Sequence, residues 1–314
     1  MAALDVITFG EAMAMFVADE PGDLATVSRF TRRQSGAEAN VAIGLARLGL
    51  RVGWVSRVGD DSLGRFILET MRSEGVDCSH VTVDKRYSTG IQLKAKAEGG
   101  VDPRTEYFRK GSAASHLSVD DFDPAYFESA RHLHASGVCC ALSASTMALA
   151  RHAIAFMGNA GRTVSFDPNL RPALWPTCEA MIEGINGLAA GAHWVLPGLA
   201  EGQILTAFEA PADIAAFYLE RGAQLVALKL GADGAYFRTP TDEASVAGVR
   251  VDNVVDTVGA GDGFAVGLVS GLLDGLDIRS AVSRGNRIGA MAIQVIGDME
   301  GLPTRRELAA VEAR

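Results

Sequence analysis

Asp262 stands in the run Asp256-Thr257-Val258-Gly259-Ala260-Gly261-Asp262-Gly263-Phe264, where three glycines fall within five residues. Glycines at this density let a backbone turn tightly and approach a ligand closely. An apolar segment, Phe264 to Leu273, follows and reads as a helix; a β-like run, Val249 to Val255, precedes it. A helix beginning after such a loop offers free N–H groups and the positive end of its dipole to an anion. A carboxylate beside a second anion held there is unfavourable unless its charge is used. Asp262 could accept the proton of a hydroxyl that attacks a phosphoryl group held by Gly259, Ala260 and Gly261. It could also be an ordinary first-turn acid. No G-x-x-x-x-G-K-[ST] run occurs, and Phe264 stands where a dinucleotide fingerprint needs a third small residue.

Other candidates sit at predicted turns. Ser35-Gly36-Ala37-Glu38-Ala39-Asn40 runs into a helix over Val41 to Leu48, so Glu38 and Asn40 either face a ligand or cap the helix. Thr89 to Ala97 alternates, with Gln92, Lys94 and Lys96 on one side and Ile91, Leu93, Ala95 and Ala97 on the other. With Tyr107 to Lys110 and the turn residues Gly99 to Pro103, this predicts a hairpin with one polar face. Arg104, Arg109 and Lys110 make it locally basic, as a binding surface or a solvated face. His132 and His134 share one face of a strand without a third ligand, so a structural role is expected.

The elements that must position these residues follow from periodicity. Leu4 to Phe9 and Arg51 to Val58 read as strands, Leu63 to Gly75 as a helix and Val81 to Val83 as a short strand. Met13 to Arg33 reads as two extended pieces about a turn at Pro21-Gly22-Asp23. Strands at 131–136, 163–167, 193–197 and 224–229 alternate with helices at 144–159, 178–190 and 199–221, the last in two pieces. That alternation predicts a parallel sheet covered on both faces, with ligands at the strands' C-terminal ends. Asp167 to Arg171, Leu196 to Gly198, Leu230 to Gly234 and Asp256 to Gly263 all fall at such ends. Gly263, Gly267, Gly271 and Gly275 recur every four residues, a stripe that fits close packing against a neighbouring element or a flat ligand. Ser280 to Val295, with Asn286 on one face, and Arg305 to Ala313 complete the helices.

The chain has 314 residues, 48% hydrophobic and 21% charged, enough for one large α/β body with a small appendage. A net charge of −9 argues against general nucleic-acid binding. No stretch of about 20 apolar residues could span a membrane. The N-terminal residues carry no signal-like run, and the four cysteines, Cys78, Cys139, Cys140 and Cys178, lack C-x-x-C spacing. Buried free thiols in a reducing cytoplasm are expected.

Together these segments resemble the ribokinase-like (PfkB) carbohydrate kinases over essentially the whole length. The resemblance rests on Ser35 to Asn40, on Lys229, Gly231 and Gly234 in Lys-Leu-Gly-Ala-Asp-Gly, and on Asp256 to Asp262. It implies a three-layer α/β domain with a central, mostly parallel sheet and a small β-sheet lid. The main domain would comprise 1–12, 36–86 and 112–314, and the lid 13–35 with 87–111. It implies transfer from ATP to a sugar's primary hydroxyl, with Mg2+ on the phosphates, and leaves a monovalent cation open. Asp262 would be the base. Asn169, Arg171, Lys229, Gly231, Gly234, Gly259, Ala260, Gly261 and Asn286 would serve the nucleotide, with Glu201 acting on the metal indirectly.

Within the family the chain looks most like kinases of 2-keto-3-deoxygluconate, through Tyr107 to Ser115, Phe166 to Trp175 and Gly297 to Pro303. The resemblance places Gly36, Ala37, Asn40, Gln92, Tyr107, Arg109, Asn169, Arg171, Asp262 and Asp298 around a sugar acid. An arginine fork suits a carboxylate, which fructose, ribose and nucleosides lack. A lid-strand Tyr of similar enzymes aligns with Gln92, and the Asn of an N-x-x-E element aligns with Gly198. A non-catalytic sensor of the same fold would be expected to lose Asp262 or Gly261. Exposed lid edges in this family often pair, so a homodimer is expected.

Overall fold

Alternation of apolar residues decides which strands are buried on both faces. The computed structural model describes residues 3–96 and 103–312. Its strands are β1 (Leu4–Phe9), β2 (Met13–Ala18), β3 (Phe30–Ser35), β4 (Val52–Gly59), β5 (Val81–Asp84), β6 (Ile91–Lys94), β7 (Thr105–Phe108), β8 (Ala130–Ser136), β9 (Thr163–Asp167), β10 (Trp194–Val195), β11 (Leu225–Lys229), β12 (Gly234–Arg238) and β13 (Glu243–Ala247). The helices are α1 (Ala37–Arg47), α2 (Ser62–Ser73), α3 (Pro124–Glu128), α4 (Gly137–Cys140), α5 (Ala144–Asn159), α6 (Cys178–Ala189), α7 (Leu199–Thr206), α8 (Pro211–Leu219), α9 (Ala260–Leu273), α10 (Ile278–Ala292) and α11 (Arg305–Glu312).

Nine strands form the main sheet in the order β13-β12-β11-β10-β9-β8-β1-β4-β5. Every pairing from β5 across to β11 is parallel, and β12 and β13 add an antiparallel edge. Successive residues of one strand enter opposite cores. Val6, Trp54 and Ala227 pack with α1, α2, α9, α10 and α11, whereas Ile7, Val55 and Val226 pack with α3 to α8. The three-layer α/β body expected from the alternating pattern is therefore present. A separate sheet, β3-β2-β6-β7, packs outside it.

Several expectations need correction. Val249 to Val255 forms no strand: Val249 is 42% exposed, and the backbone is anchored only near its end, where Val255 N and Asp256 N donate to Ile293 O. The antiparallel pair β12–β13, which the pattern did not single out, takes the sheet edge instead. The strand expected at 107–110 lies at 105–108, and that at 193–197 shrinks to Trp194–Val195. The turn at 99–102 and Ala97 lie outside the described residues.

The polar side of β6 faces inward. Gln92 and Lys94 are 4% and 0% exposed, and Arg109, expected on a binding or solvated face, is buried at 8%. Arg104 and Lys110 remain exposed. Cys178 is exposed, unlike the other three thiols. His132 and His134 are buried in β8 and bond the hydroxyls of Thr163 and Ser165, with burial holding both imidazoles neutral, as the structural expectation had it.

The glycine stripe is a packing device. A Cβ at Gly267 would lie 2.6 Å from backbone atoms of Arg284 and Gly285, and one at Gly271 would lie 2.9 Å from Ala281 Cα. Close contact between α9 and α10 offsets the ~1 kcal/mol helix penalty of each glycine. Gly275 falls just past the helix with φ +84° and ends it.

Candidate active site

The C-terminal ends of β1, β8, β9 and β11 open on one side of the main sheet, and the small sheet faces them across a cavity of about 510 Å3. Gly36, Ala37, Asn40, Gln92, Tyr107, Arg109, Asn169, Arg171, Glu201, Lys229, Gly259, Gly261, Asp262 and Asp298 line it together, although the sequence scatters them over most of the chain. Of the remaining expected site residues, Ala260, Gly231, Gly234 and Asn286 are outside the lining. The Asn286 amide donates to Val246 O and Ala247 O of β13 at 3.0 and 3.1 Å.

α9 begins earlier than its apolar run predicts, so Asp262 belongs to its first turn. Gly259 precedes it with φ +88°, and a Cβ there would lie 2.5 Å from Asp298 O; only glycine fits. No side chain caps this end. Gly259, Gly261 and Asp262 of this end line the cavity, so its free N–H groups are a candidate anion site. A Cβ at Gly261 would be 3.5 Å from Lys229 Nζ, which bonds Asp167 Oδ2 at 2.7 Å.

Asp262 is 9% exposed. Burial pushes its pKa up to about 7, assisted by the charges of Asp167 and Asp298 and opposed by Asn40 and Arg171. Asn40 Nδ2 donates to Asp262 Oδ2 at 2.7 Å, while Asn40 Oδ1 is buried without a hydrogen-bond partner. A hydroxyl entering here would give that oxygen a donor. Glu38, expected with Asn40 to face either a ligand or the helix cap, is buried outside the lining. It accepts from Cys139 N at 3.2 Å, and burial raises its pKa to about 7.

At the other wall, Arg109 Nε donates to Glu11 Oε2 at 2.6 Å, and the Ser112 hydroxyl donates to Glu11 Oε1. Glu11 carries no motif of its own, yet it follows Gly10 at the end of β1, where a ligand-facing residue belongs. Gln92 accepts from the Ser35 hydroxyl. Gly36 has φ +139°, and a Cβ there would lie 2.3 Å from Glu11 O, so no larger residue fits. Asn169 turns the chain after β9 with φ +39°, a conformation asparagine tolerates. Arg171 lies at the cavity mouth.

Glu201 uses both oxygens on backbone, accepting from Leu170 N and Gly198 N at 2.7 Å each. Among the described residues no cluster of three or more His, Cys, Asp or Glu could cage a metal ion. The site fits a Mg2+ carried on phosphates and water, the habit of that ion, because Glu201 and Asp262 put acidic side chains in the lining. No described helix is long and apolar enough to cross a membrane.

The family model described as pfkB family carbohydrate kinase matches residues 3–305. Over 307 residues the chain is 54% identical to the 2-dehydro-3-deoxygluconokinase of Bacillus subtilis (strain 168), covering 98% of this chain and 94% of that protein. A crystal structure of a PfkB protein from Polaromonas sp. JS666 superposes with a TM-score of 0.91 at 56% identity, covering 98% and 100% of the two chains. A putative ribokinase II from E. coli in complex with ATP and Mg2+ superposes with a TM-score of 0.91 at 25% identity, covering 99% and 100%.

Proposed function

The chain belongs to the pfkB family of carbohydrate kinases, and we propose that it phosphorylates the primary hydroxyl of a keto-deoxy sugar acid, 2-keto-3-deoxygluconate, giving the 6-phosphate at the expense of ATP. One observation carries the chemistry. Asp262, with a pKa raised to about 7, stands in the first turn of an uncapped helix at the cavity floor. A base that titrates near the working pH is well matched to proton transfer.

Asp262 Oδ1 takes the hydroxyl proton while Asn40 holds Oδ2. The N–H groups at Gly259, Ala260 and Gly261 stabilise charge on the transferred phosphoryl. Lys229, Asn169 and Arg171 border the phosphate path, Gly231 and Gly234 turn the chain beside it, and Asn286 holds β13 on the nucleotide side. Mg2+ on ATP, with Glu201 acting at most through water, neutralises phosphate charge when bound. The small sheet, residues 13–35 with 87–111, acts as a lid over the main body and excludes water that would otherwise hydrolyse ATP.

Substrate class rests on Arg109, Arg171 and the named activity of the Bacillus relative. Gly36, Ala37, Gln92, Tyr107 and Asp298 complete the sugar pocket. A neutral sugar is favoured by one observation, since Glu11 already occupies the Nε–Nη2 edge of Arg109. The remaining N–H groups still offer a carboxylate a second edge, because guanidinium carries five donors. The test is ADP release with Mg2+ across 2-keto-3-deoxygluconate, its galactonate epimer, fructose, ribose and adenosine. Turnover confined to the keto-deoxy acids supports the assignment, and turnover only with a neutral sugar overturns it.

The free thiols fit the reducing cytoplasm as the working compartment. Tyr107 and Phe108, 48% and 58% exposed on the edge strand β7, are where the expected dimer would pair. Sedimentation of the parent and of Phe108→Glu decides this.

A further inference from the structure

One charge with no exposed surface takes no part in the chemistry above. Lys94, the last residue of β6 in the small sheet, is fully buried, as is Asp256. Its Nζ lies 2.6 Å from Asp256 Oδ2 and 3.0 Å from Asp298 Oδ1. Both carboxylates belong to the main body and flank the loop that leads into α9. Asp256 Oδ1 accepts from Val258 N at 3.2 Å, and Asp256 Oδ2 accepts from Gly297 N at 3.4 Å. Asp298 O presses on Gly259, the residue before the anion-binding turn.

One ammonium therefore serves two acids. Burial alone lowers its pKa, but Asp298 and Asp256 more than offset that and hold it above the ordinary lysine value. Buried ion pairs contribute little net stability compared with well-packed apolar groups, yet leaving one member unpaired is costly. Their best-attested use is to fix one arrangement among several. Here the arrangement fixed is the loop's own: without Lys94, the buried carboxylates of Asp256 and Asp298 would repel, and the backbone of Asp298 that rests on Gly259 would shift with them. A second tie from the small sheet, Arg33 Nη1 to Glu300 Oε1 at 2.7 Å, joins β3 to the 297–300 loop.

We propose that Lys94 is a positioning residue for phosphoryl transfer: its ammonium, supplied from the small sheet, seats the Asp256–Gly259 loop so that the N–H groups opening α9 face the phosphoryl group. Seating of the small sheet and assembly of the anion site are then one event. Lys94 is absent from the cavity lining, so its part is to position and not to bind.

The test is chemical rescue, run with whichever sugar the parent phosphorylates, so that a wrong substrate assignment fails on the parent and a wrong role for Lys94 fails on the variant. Lys94→Ala should lose about 10²-fold in kcat, the scale of a misplaced oxyanion donor, with KM for ATP near the parent value. Methylammonium or ammonium at constant ionic strength should restore at least about tenfold with saturation, and tetramethylammonium should not. Lys94→Met, which refills the space without charge, should be slow and unresponsive to every ion. A kcat for Lys94→Ala close to the parent, or loss that no small cation reverses in a folded variant, overturns the proposal. If Lys94→Ala does not fold, Lys94→Gln decides, because its amide can bond both acids without charge. Slow turnover with intact ATP binding supports the role; a lowered Tm with parent-like kcat refutes it.

Discussion

Asn40 Nδ2 lies 2.7 Å from Asp262 Oδ2, and this bond joins α1 to the first turn of α9 at the cavity floor. It favours the charged carboxylate, whereas burial favours the neutral one, and burial prevails. Asp262→Asn should bind both substrates but lose at least about 10²-fold in turnover, the scale of a general base. Near-normal kcat in that variant would sink the role.

The same balance predicts a pH profile. The parent's kcat/KM should rise with pH through about 7 as Asp262 ionises. Asn40→Ala withdraws a bond that lowers this pKa, so the acidic limb should move to higher pH. A limb that stays in place would show that another group sets the profile.

Asp262 also affects folding. Its folded pKa, about 7, exceeds the ordinary 3.8, so between these values the folded state binds the extra proton. Stability therefore falls as pH rises through that window, and Glu38, also raised to about 7, acts in the same sense. Asp262→Asn should raise Tm at pH 8 more than at pH 4. Equal shifts at both pH values would contradict a raised Asp262 pKa.

Arg109 is held by Glu11 at the opposite wall. Arg109→Ala should raise KM for a sugar acid by about 10-fold or more, as for a lost charged hydrogen bond, and raise KM for fructose far less. Parallel losses on both would refute a carboxylate contact.

Gly267→Ala tests the helix pair behind the site. The new methyl would sit 2.6 Å from backbone of α10, which cannot yield as a side chain can. We expect destabilisation of ~1–3 kcal/mol by denaturant titration, with loss of kcat if the α9 N-terminus is displaced. No change in stability would mean that the helices are less tightly joined than the distance implies.

The legible parts of the chain were those with local signatures. Period-two and period-3.6 apolar patterns placed most strands and helices of the main body, and the glycine-rich run announced the tight turn into α9. Val249 to Val255 misled because β-branched residues alone do not make a strand; it needs a partner, and β13 already forms the sheet edge. Gln92 and Lys94 read as a polar face, but alternation does not say which side meets solvent. Glu11–Arg109 and Lys94–Asp256 join residues 98 and 162 positions apart, so no local pattern announces them. The tether of Lys94 to Asp298 spans 204 positions and is equally silent in sequence.

The chain enters and leaves the small sheet twice: from β1 into β2, back from β3 into α1, out again after β5, and home after β7. Four strands of polypeptide thus suspend it above the floor, like a platform on four cables and unlike a door on one hinge. Such a suspension permits tilting and settling but resists a wide swing. It also means that no single contiguous cassette carries this layer: grafting it onto a related body would require two simultaneous splices, each matched to its own pair of anchor points.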